Sequence, residues 1–467
     1  MDKAEKHTFC LDIPIEECDV LVVGGGPAGI AAAVASSRQG ASTILVERYG
    51  FVGGMATAGL VGPFMSCYDA RGTQRVIGGI FSELVSRMIL DNGALDPAHV
   101  PAGSGYTSFL VPAHHNCTPF DPEVMKYVAM DMLLEGGVDV RLHTRYVGVA
   151  VDRMHVQHVL AADKAGIRGI RATVYIDTTG DADVLASASP DGFWKGRAGD
   201  GRLQPATMFM RVGGVDDDRI EEWVRGHPGE HLFASLVEEA QSAGTWPSGA
   251  DRNFVGLYRQ PRAGEWRVNT SRIAGIDGTS PEQMTKAEIE GRRQTRDLLK
   301  FFRKYCPGMG ASYLLDTAPQ VGIRETRRIK GLYCLTEDDV RTARRFDTAI
   351  ARFAFFMDVH NPSGRGQEGV DKPSLNGGGW RLLQDGDFFD VPFGCLVPEG
   401  IDNLLVGGRS ISCDRMANGA VRVMPICFAT GQAAGTAAAI SAKEEIPPSK
   451  VDVQELRRRL LEAECIV

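Results

Sequence analysis

The stretch DVLVVGGGPAGIAAA, residues 19–33, decides the fold. Its apolar opening, residues 20–23, has the length and β-branched character of a buried strand. Gly24, Gly26 and Gly29 follow in G-x-G-x-x-G spacing, with Pro27 and Ala28 between the last two. An alanine-rich run continues to Ser37 and stops at Gly40, and a second apolar run, residues 43–46, leads into Glu47. Glycines alone mark many ordinary turns. Here strand, glycines, helix, strand and acid succeed one another in the order of a βαβ dinucleotide-binding unit. In such a unit Gly24 permits the tight turn, Gly26 lets a pyrophosphate approach the backbone, and Gly29 lets helix and strand pack closely. The helix N-terminus offers free N–H groups and a positive dipole end to phosphate. Glu47 closes the second strand, where a carboxylate accepts hydrogen bonds from a ribose.

The bulk composition narrows the function. A chain of 467 residues is expected to form about two or three domains. Hydrophobic residues make up 43% and charged residues 24%, the balance of a globular protein. A net charge of −8 gives no electrostatic reason to expect nucleic acid or an anionic membrane as partner. No apolar run is long enough to span a bilayer. Residues 1–17 are polar and lack the apolar core of a secretion signal, so the expected location is the cytoplasm. The 10 cysteines form no C-x-x-C pair, which argues against iron–sulfur clusters, structural zinc and a dithiol redox motif. No metal is expected, and the thiols are read as reduced and mostly buried.

Outward from the motif, Arg48 precedes a glycine-rich segment with Gly53, Gly54 and Met55, where backbone passes close to something large and flat. Residues 75–91 read as a helix, and residues 92–118 as irregular and polar, with His114 and His115 in them. Asp121 and Pro122 read as the cap and first residue of a helix that ends at Gly136, followed by a strand at 138–142. Residues 146–177 alternate as antiparallel strands, and the last ends in Thr179, Gly180 and Asp181, suited to cover the other side of a cofactor. Residues 204–214 and 252–273 look like strands, and 281–305 a long charged helix. Residues 320–331 are basic, either a solvated strand edge or part of a site. An apolar segment, 346–359, delivers His360 to a loop; if it is a strand, Asp358 points to the opposite face. A buried strand at 403–406 ends in glycines including Gly408, residues 409–422 read as a loop, and a small-residue helix begins near Pro425. Residues 452–464 read as a closing amphipathic helix.

Several of these segments together carry a family resemblance: VVGGGPAG at 22–29, GGMAT at 53–57, FDPEVMK at 120–126, IDTTGDAD at 176–183, GIRETRRIKG at 322–331, Asp358 to His360, and residues 403–435. On them the chain resembles the bacterial FAD-dependent oxidoreductase family of the glutathione-reductase-like superfamily, with fumarate-reductase flavoproteins and the flavin subunit of heterodisulfide reductase as more distant relatives. The resemblance covers residues 17–442. It implies an α/β fold: a Rossmann-like FAD-binding domain with a central parallel sheet and a small antiparallel sheet, built from residues 17–190 and 395–445. Residues 191–394 would form an α+β substrate or cap domain, and 446–467 a C-terminal helix. It implies FAD as cofactor, with Gly24, Gly26, Pro27, Ala28, Gly29, Glu47, Arg48, Gly53, Gly54, Met55, Thr179, Gly180, Asp181, Gly408, Arg409, Arg422 and Met424 around it. Glu47 would bind the adenosine ribose, and the helix after Arg422 would point at the flavin pyrimidine, where the positive end of its dipole stabilises reduced flavin.

No second G-x-G-x-x-G stands in a βαβ context and no redox cysteine pair is present, so a pyridine-nucleotide disulfide reductase is not expected. The leading reading is hydride transfer between a small organic substrate and flavin N5. His360 is the first choice for the accompanying proton transfer. Arg324 and Arg327 either bind a substrate carboxylate or make ion pairs with Glu325 or other acids. His114 and His115 are weaker candidates, read as exposed loop residues, and Cys67 as an inert buried thiol. The competing reading is a flavin-carrying electron-transfer subunit that docks on a redox partner protein; a regulator retaining the fold without flavin is the third. Self-association into a homo-oligomer stays open.

Overall fold

The computed structural model describes residues 12–110, 114–364, 366, 383 and 386–467. The apolar run before the glycines becomes the buried end of β1 (Ile15–Val23). Pro27 opens α1 (Pro27–Arg38), its fixed φ suiting the first helical position. β2 (Thr43–Val46) lies parallel to β1 with Val23 opposite Val46. After α2 (Gly79–Leu90) comes α3 (Pro122–Glu135), capped by the Asp121 carboxylate accepting from the Glu123 N–H. β3 (Asp139–Arg141) pairs parallel with β2. β4 (Arg145–Asp152), β5 (His155–Asp163) and β6 (Gly166–Asp177) form the expected antiparallel meander, and β6 then runs parallel beside β1. α4 (Asp183–Ala188) follows.

Past α4 the chain builds β7 (Phe193–Lys195), β8 (Met210–Gly213), α5 (Asp217–Gly226), α6 (Ala234–Ser242), β9 (Leu257–Arg259) and β10 (Trp266–Val268). The strands expected over 204–214 and 252–273 are thus confined to three short pieces. α7 (Pro281–Tyr305) matches its expected limits, with Ser280 accepting from the Gln283 N–H as N-cap and Pro281 in the first turn. β11 (Tyr313–Thr317) completes a four-stranded sheet in the order β11-β8-β10-β9. This sheet packs with α7 around Met210, Val212, Trp266, Phe301 and Phe302.

β12 (Arg327–Ile329) pairs antiparallel with β7. It is not a solvated edge: the side chains of Arg328 and Glu325 are 5% and 0% exposed and form an ion pair at 2.5 Å. α8 (Glu337–Arg341), β13 (Ala349–Phe353) and β14 (Phe389–Pro392) come next. Leu335, Ile350, Phe353, Phe389 and Val391 join the core of the first sheet. The change of domain expected near residue 394 therefore does not coincide with a change of core. β15 (Leu404–Val406) adds to the far side of β6, with Val406 opposite Asp177. Residues 409–422, read as a loop, contain α9 (Arg415–Val421), whose N-terminus is capped by Asp414 accepting from the Ala417 N–H. An aspartate three residues ahead of a small-residue run was the signal, masked by the arginines and asparagine around it.

α10 (Met424–Glu444) is buried along most of its length and crosses α1 at backbone distance. A Cβ on Gly431 would lie 2.1 Å from the Ala28 carbonyl oxygen, and one on Gly435 2.1 Å from that of Ala32. Alanines on one helix and glycines on the other, four residues apart, make this approach sterically feasible. Leu456 and Leu460 of α11 (Val453–Glu462) close the same core. Among the described residues no single helix is long and apolar enough to cross a membrane.

The registers align the carboxyl ends of β1, β2, β6 and β15 at one level: Val23, Val46, Asp177 and Val406. The loops that leave these ends carry the glycine motif, Glu47, Thr179 to Asp181, and Gly408. Ligands of open α/β sheets bind at this edge.

Candidate active site

A cavity of about 890 Å³ opens over those strand ends. It is lined on one side by Gly24, Gly26, Pro27, Ala28, Glu47, Arg48, Gly54, Met55, Thr179, Gly180, Asp181, Gly408, Arg409 and Met424. The three motif glycines differ in what requires them. Gly24 has φ +104°, and a Cβ on it would stand 2.7 Å from the Thr178 carbonyl oxygen; a Cβ on Gly29 would stand 1.8 Å from that of Gly24. The fold itself needs both. At Gly26, φ is an ordinary −75° and a Cβ would meet only the Gly54 Cα, at 3.8 Å. No protein atom demands a glycine there. The side chain would enter the cavity, at the uncapped N-terminus of α1, where free N–H groups suit a phosphate. The cradle fits a dinucleotide.

Glu47 is buried, with Oε2 accepting from the Gly25 N–H at 2.7 Å and Oε1 from the Tyr49 N–H at 2.9 Å. Burial pushes its carboxyl above the ordinary range despite these bonds. The Arg48 guanidinium and the Tyr49 hydroxyl both bond to Gln320 Oε1. Gly53 stands behind the wall, its N–H donating to the Gly25 carbonyl. The Thr-Gly-Asp turn is held from beneath by Asp177, which accepts from Thr179 Oγ1 at 2.7 Å and from the N–H groups of Val184 and Leu185. Burial and the Asp183 charge push the Asp177 carboxyl up to about 6. Arg409 braces the turn from above, donating to the Gly180 carbonyl and to Asp181 Oδ1, both at 2.7 Å, and to the Ile323 carbonyl. Val423, Met424 and Cys427 bring the N-terminus of α10 to the cavity, again without a side-chain cap.

Arg327 belongs to this side as well. Its Nη1 donates to the Asp181 carbonyl at 2.8 Å and forms an ion pair with Asp183 Oδ1 at 2.9 Å. Arg324 faces elsewhere, with Nη1 donating to the Pro205 carbonyl and Thr207 Oγ1. The two arginines do not form one clamp.

Arg324 lies instead with Asp358, His360 and Arg422. Residues 354–359 are not a strand, and the Asp358 and His360 side chains meet rather than diverge: Oδ2 and Nε2 are 3.4 Å apart, with side-chain exposures of 19% and 13%. The Arg422 Nη2 donates to both the carbonyl and Oδ2 of Asp358, and the His360 N–H donates to Gln204 Oε1. Arg422, expected beside the cofactor, thus orients Asp358 while still lining the cavity. Burial raises the Asp358 carboxyl, but the hydrogen bond from His360 and the adjacent guanidiniums of Arg422 and Arg324 lower it, and the net is well below the carboxylate range. Burial, with Arg272 and Arg324, drives the His360 ring well below the ordinary histidine range against the pull of Asp358. The pair is therefore a neutral imidazole beside a carboxylate.

His114, expected in an exposed loop, is buried and lines this end of the cavity, its ring 5.9 Å from that of Tyr258 and 6.4 Å from that of Phe356. His115 bonds to its neighbour Asn116 and is not among the described residues that line the cavity. Cys67 is buried, and burial pushes its thiol up to about 11, away from nucleophilic use. Arg252, Arg272 and Tyr258 also line this end. No motif in the sequence marks them, and Tyr258 is an ordinary residue of the short strand β9.

The family model for FAD dependent oxidoreductase matches residues 19–460. The chain belongs to this family. It is an enzyme with oxidoreductase activity, and its cofactor is FAD. The cradle around Gly26 and Glu47 is where this flavoprotein's own residues suit that group. A comparison with curated protein sequences gives no match. Among solved structures, the flavoprotein is similar to a geranylgeranyl bacteriochlorophyll reductase-like protein from Thermoplasma acidophilum, with 12% identity, 96% of this chain and 84% of the other covered, and a TM-score of 0.43. It is similar to p-nitrophenol 4-monooxygenase from Pseudomonas putida, with 12% identity, coverages of 94% and 83%, and a TM-score of 0.43. It is also similar to anhydrotetracycline hydroxylase from Streptomyces rimosus, with 13% identity, coverages of 95% and 66%, and a TM-score of 0.46.

Proposed function

We propose that the enzyme oxidises a small organic substrate at a C–H bond next to a hydroxyl or amine, with His360 taking the proton that leaves as the hydride departs. FAD, when bound, supplies the hydride acceptor at its N5. The observation that supports this reading is the His360–Asp358 pair at the cavity wall. A neutral ring facing an ionised carboxylate carries its proton on Nε2 and leaves Nδ1 as the acceptor. Asp358, itself held by Arg422, then stabilises the imidazolium that forms when Nδ1 is protonated. The Gln204 side chain fixes the backbone that presents the ring. The balance is simple: the C–H pair of electrons leaves with its hydrogen, the O–H or N–H proton goes to His360, and a C=O or C=N bond forms.

The test is an anaerobic screen of hydroxy acids, amino acids, polyols and sugars for bleaching of the flavin band, followed in stopped flow with His360→Asn. The expected result is bleaching by at least one class, slowed by roughly 10²–10⁴-fold in the variant with FAD still bound. Reduction by the best substrate at the wild-type rate in His360→Asn would refute the assignment. Bleaching only by a partner protein would favour the electron-carrier reading instead.

A further inference from the structure

The end of the cavity beyond Asp358 and His360 has an unusual charge balance. Among the described residues, Arg252, Arg272, Arg324 and Arg422 line it, opposed by two carboxylates, Asp251 and Asp358. His360 is neutral there, as derived above. Among the described residues, four guanidiniums against two carboxylates leave a charge of +2, and a guanidinium keeps its proton at neutral pH even in such surroundings. The carboxylate bonds described above do not use the whole set. Asp358 is occupied by Arg422 and His360, and Arg324 is turned to Pro205 and Thr207.

Arg272 is the least satisfied of the four. It is 4% exposed, yet its Nε and Nη1 have no hydrogen-bond partner among the described residues. The Nε of Arg252 and that of Arg422 are in the same condition. Buried guanidinium groups left unpaired are costly, and native structures rarely keep them without a compensating anion. The placement is not loose. Gln294 of α7 clamps the Arg272 backbone on both sides, its Oε1 accepting from the N–H at 2.8 Å and its Nε2 donating to the carbonyl at 3.0 Å. Arg252 is tied by Nη1 to the Asn269 carbonyl and stacks on the Phe254 ring at 4.5 Å. The segments that flank β9 and β10 thus present two positioned guanidiniums to the same cavity that His360 lines.

We infer that the substrate is a small organic anion, held through a carboxylate or phosphate group by Arg252 and Arg272, while its oxidisable carbon faces His360. This rests on the function proposed above and adds the substrate class to it. Arg252 and Arg272 are positioning residues in this scheme: the planar guanidinium fork sets where the anionic group sits, and so which carbon is presented.

The test reads binding rather than turnover. The FAD-loaded enzyme is titrated at constant ionic strength with succinate, malonate, inorganic phosphate and the neutral isostere succinamide, following the flavin difference spectrum and calorimetric heat. The expected result is saturable binding of at least one anion, roughly tenfold or more tighter than succinamide, weakened about 10- to 100-fold in Arg272→Met with FAD affinity unchanged. Tight phosphate with weak dicarboxylates assigns a phosphorylated substrate, and the reverse assigns an organic acid; either supports the inference. Arg272→Lys, which keeps the charge and the fold but loses the fork, should fall between the two and carries the test if Arg272→Met does not fold. Anions binding no better than succinamide, or unweakened by both substitutions, would overturn it. A neutral compound that reduces the flavin in a His360-dependent way would overturn it too and leave the proposed function standing. Anion binding by Arg272 with no His360-dependent reduction would do the opposite.

Discussion

Gly26→Val separates the needs of the fold from the needs of the cofactor. A Cβ at this position has one neighbour within 4 Å, the Gly54 Cα at 3.8 Å, and the backbone φ of −75° suits any residue. Valine lacks glycine's tolerance at a helix N-cap, which costs up to about 1 kcal/mol, and the stiffer unfolded chain returns about 0.4–1 kcal/mol. The apoprotein should therefore melt within about 2–4 °C of wild type. FAD binding should suffer far more. The new side chain fills the space over the α1 N-terminus, where charge-assisted hydrogen bonds to phosphate form at about 1.5–3 kcal/mol each. Losing two of them amounts to roughly 3–6 kcal/mol, or about 10²–10⁴-fold in Kd. The assay is fluorescence titration of apoprotein with FAD, beside circular dichroism melts of the same samples. Gly29→Ala is the contrast: its Cβ would lie 1.8 Å from the Gly24 carbonyl oxygen, so that variant should fail to fold. Wild-type FAD affinity in Gly26→Val, or an apoprotein as unstable as Gly29→Ala, would refute the reasoning.

Three further outcomes follow from the site and its supports. Because no second dinucleotide motif was found in the sequence, NADH and NADPH should reduce the flavin slowly beside the true substrate, and rapid saturable reduction in stopped flow would contradict this. Glu325→Ala leaves the buried guanidinium of Arg328 without its carboxylate and removes the carboxylate 3.4 Å from Arg415, so urea unfolding should show a loss of about 3–5 kcal/mol; a change under 1 kcal/mol would mean the pair is dispensable. His360 has its folded pKa depressed below about 6.5, so as pH falls the unfolded chain takes up the proton first and wild-type stability declines below that pH. Measured from pH 8 to 5, the stability gap between wild type and His360→Asn should shift toward the variant below pH 6.5, and parallel curves would show that the ring is not held neutral.

What the sequence determined by itself is local. The β1-α1-β2 unit, the Asp121 cap of α3, the limits of α7 and the proline-started α10 follow from periodicity and capping within a few turns of chain. The glycine spacing placed a dinucleotide cradle at the end of β1, because turn geometry and close backbone approach are written in adjacent residues. Tertiary structure decided the rest of the site. Whether Arg328 is solvated or buried, whether Arg327 meets Asp183 or a ligand, and that Asp358 turns toward His360 depend on contacts across long sequence separations. Arg272 shows the limit most clearly. Nothing beside it in the chain distinguishes it from a surface arginine, and only Gln294, arriving on another element, pins its backbone and leaves its guanidinium buried at the cavity wall. Burial sets the energetic consequence of a charge, and burial is a property of the packed molecule rather than of any short stretch of it.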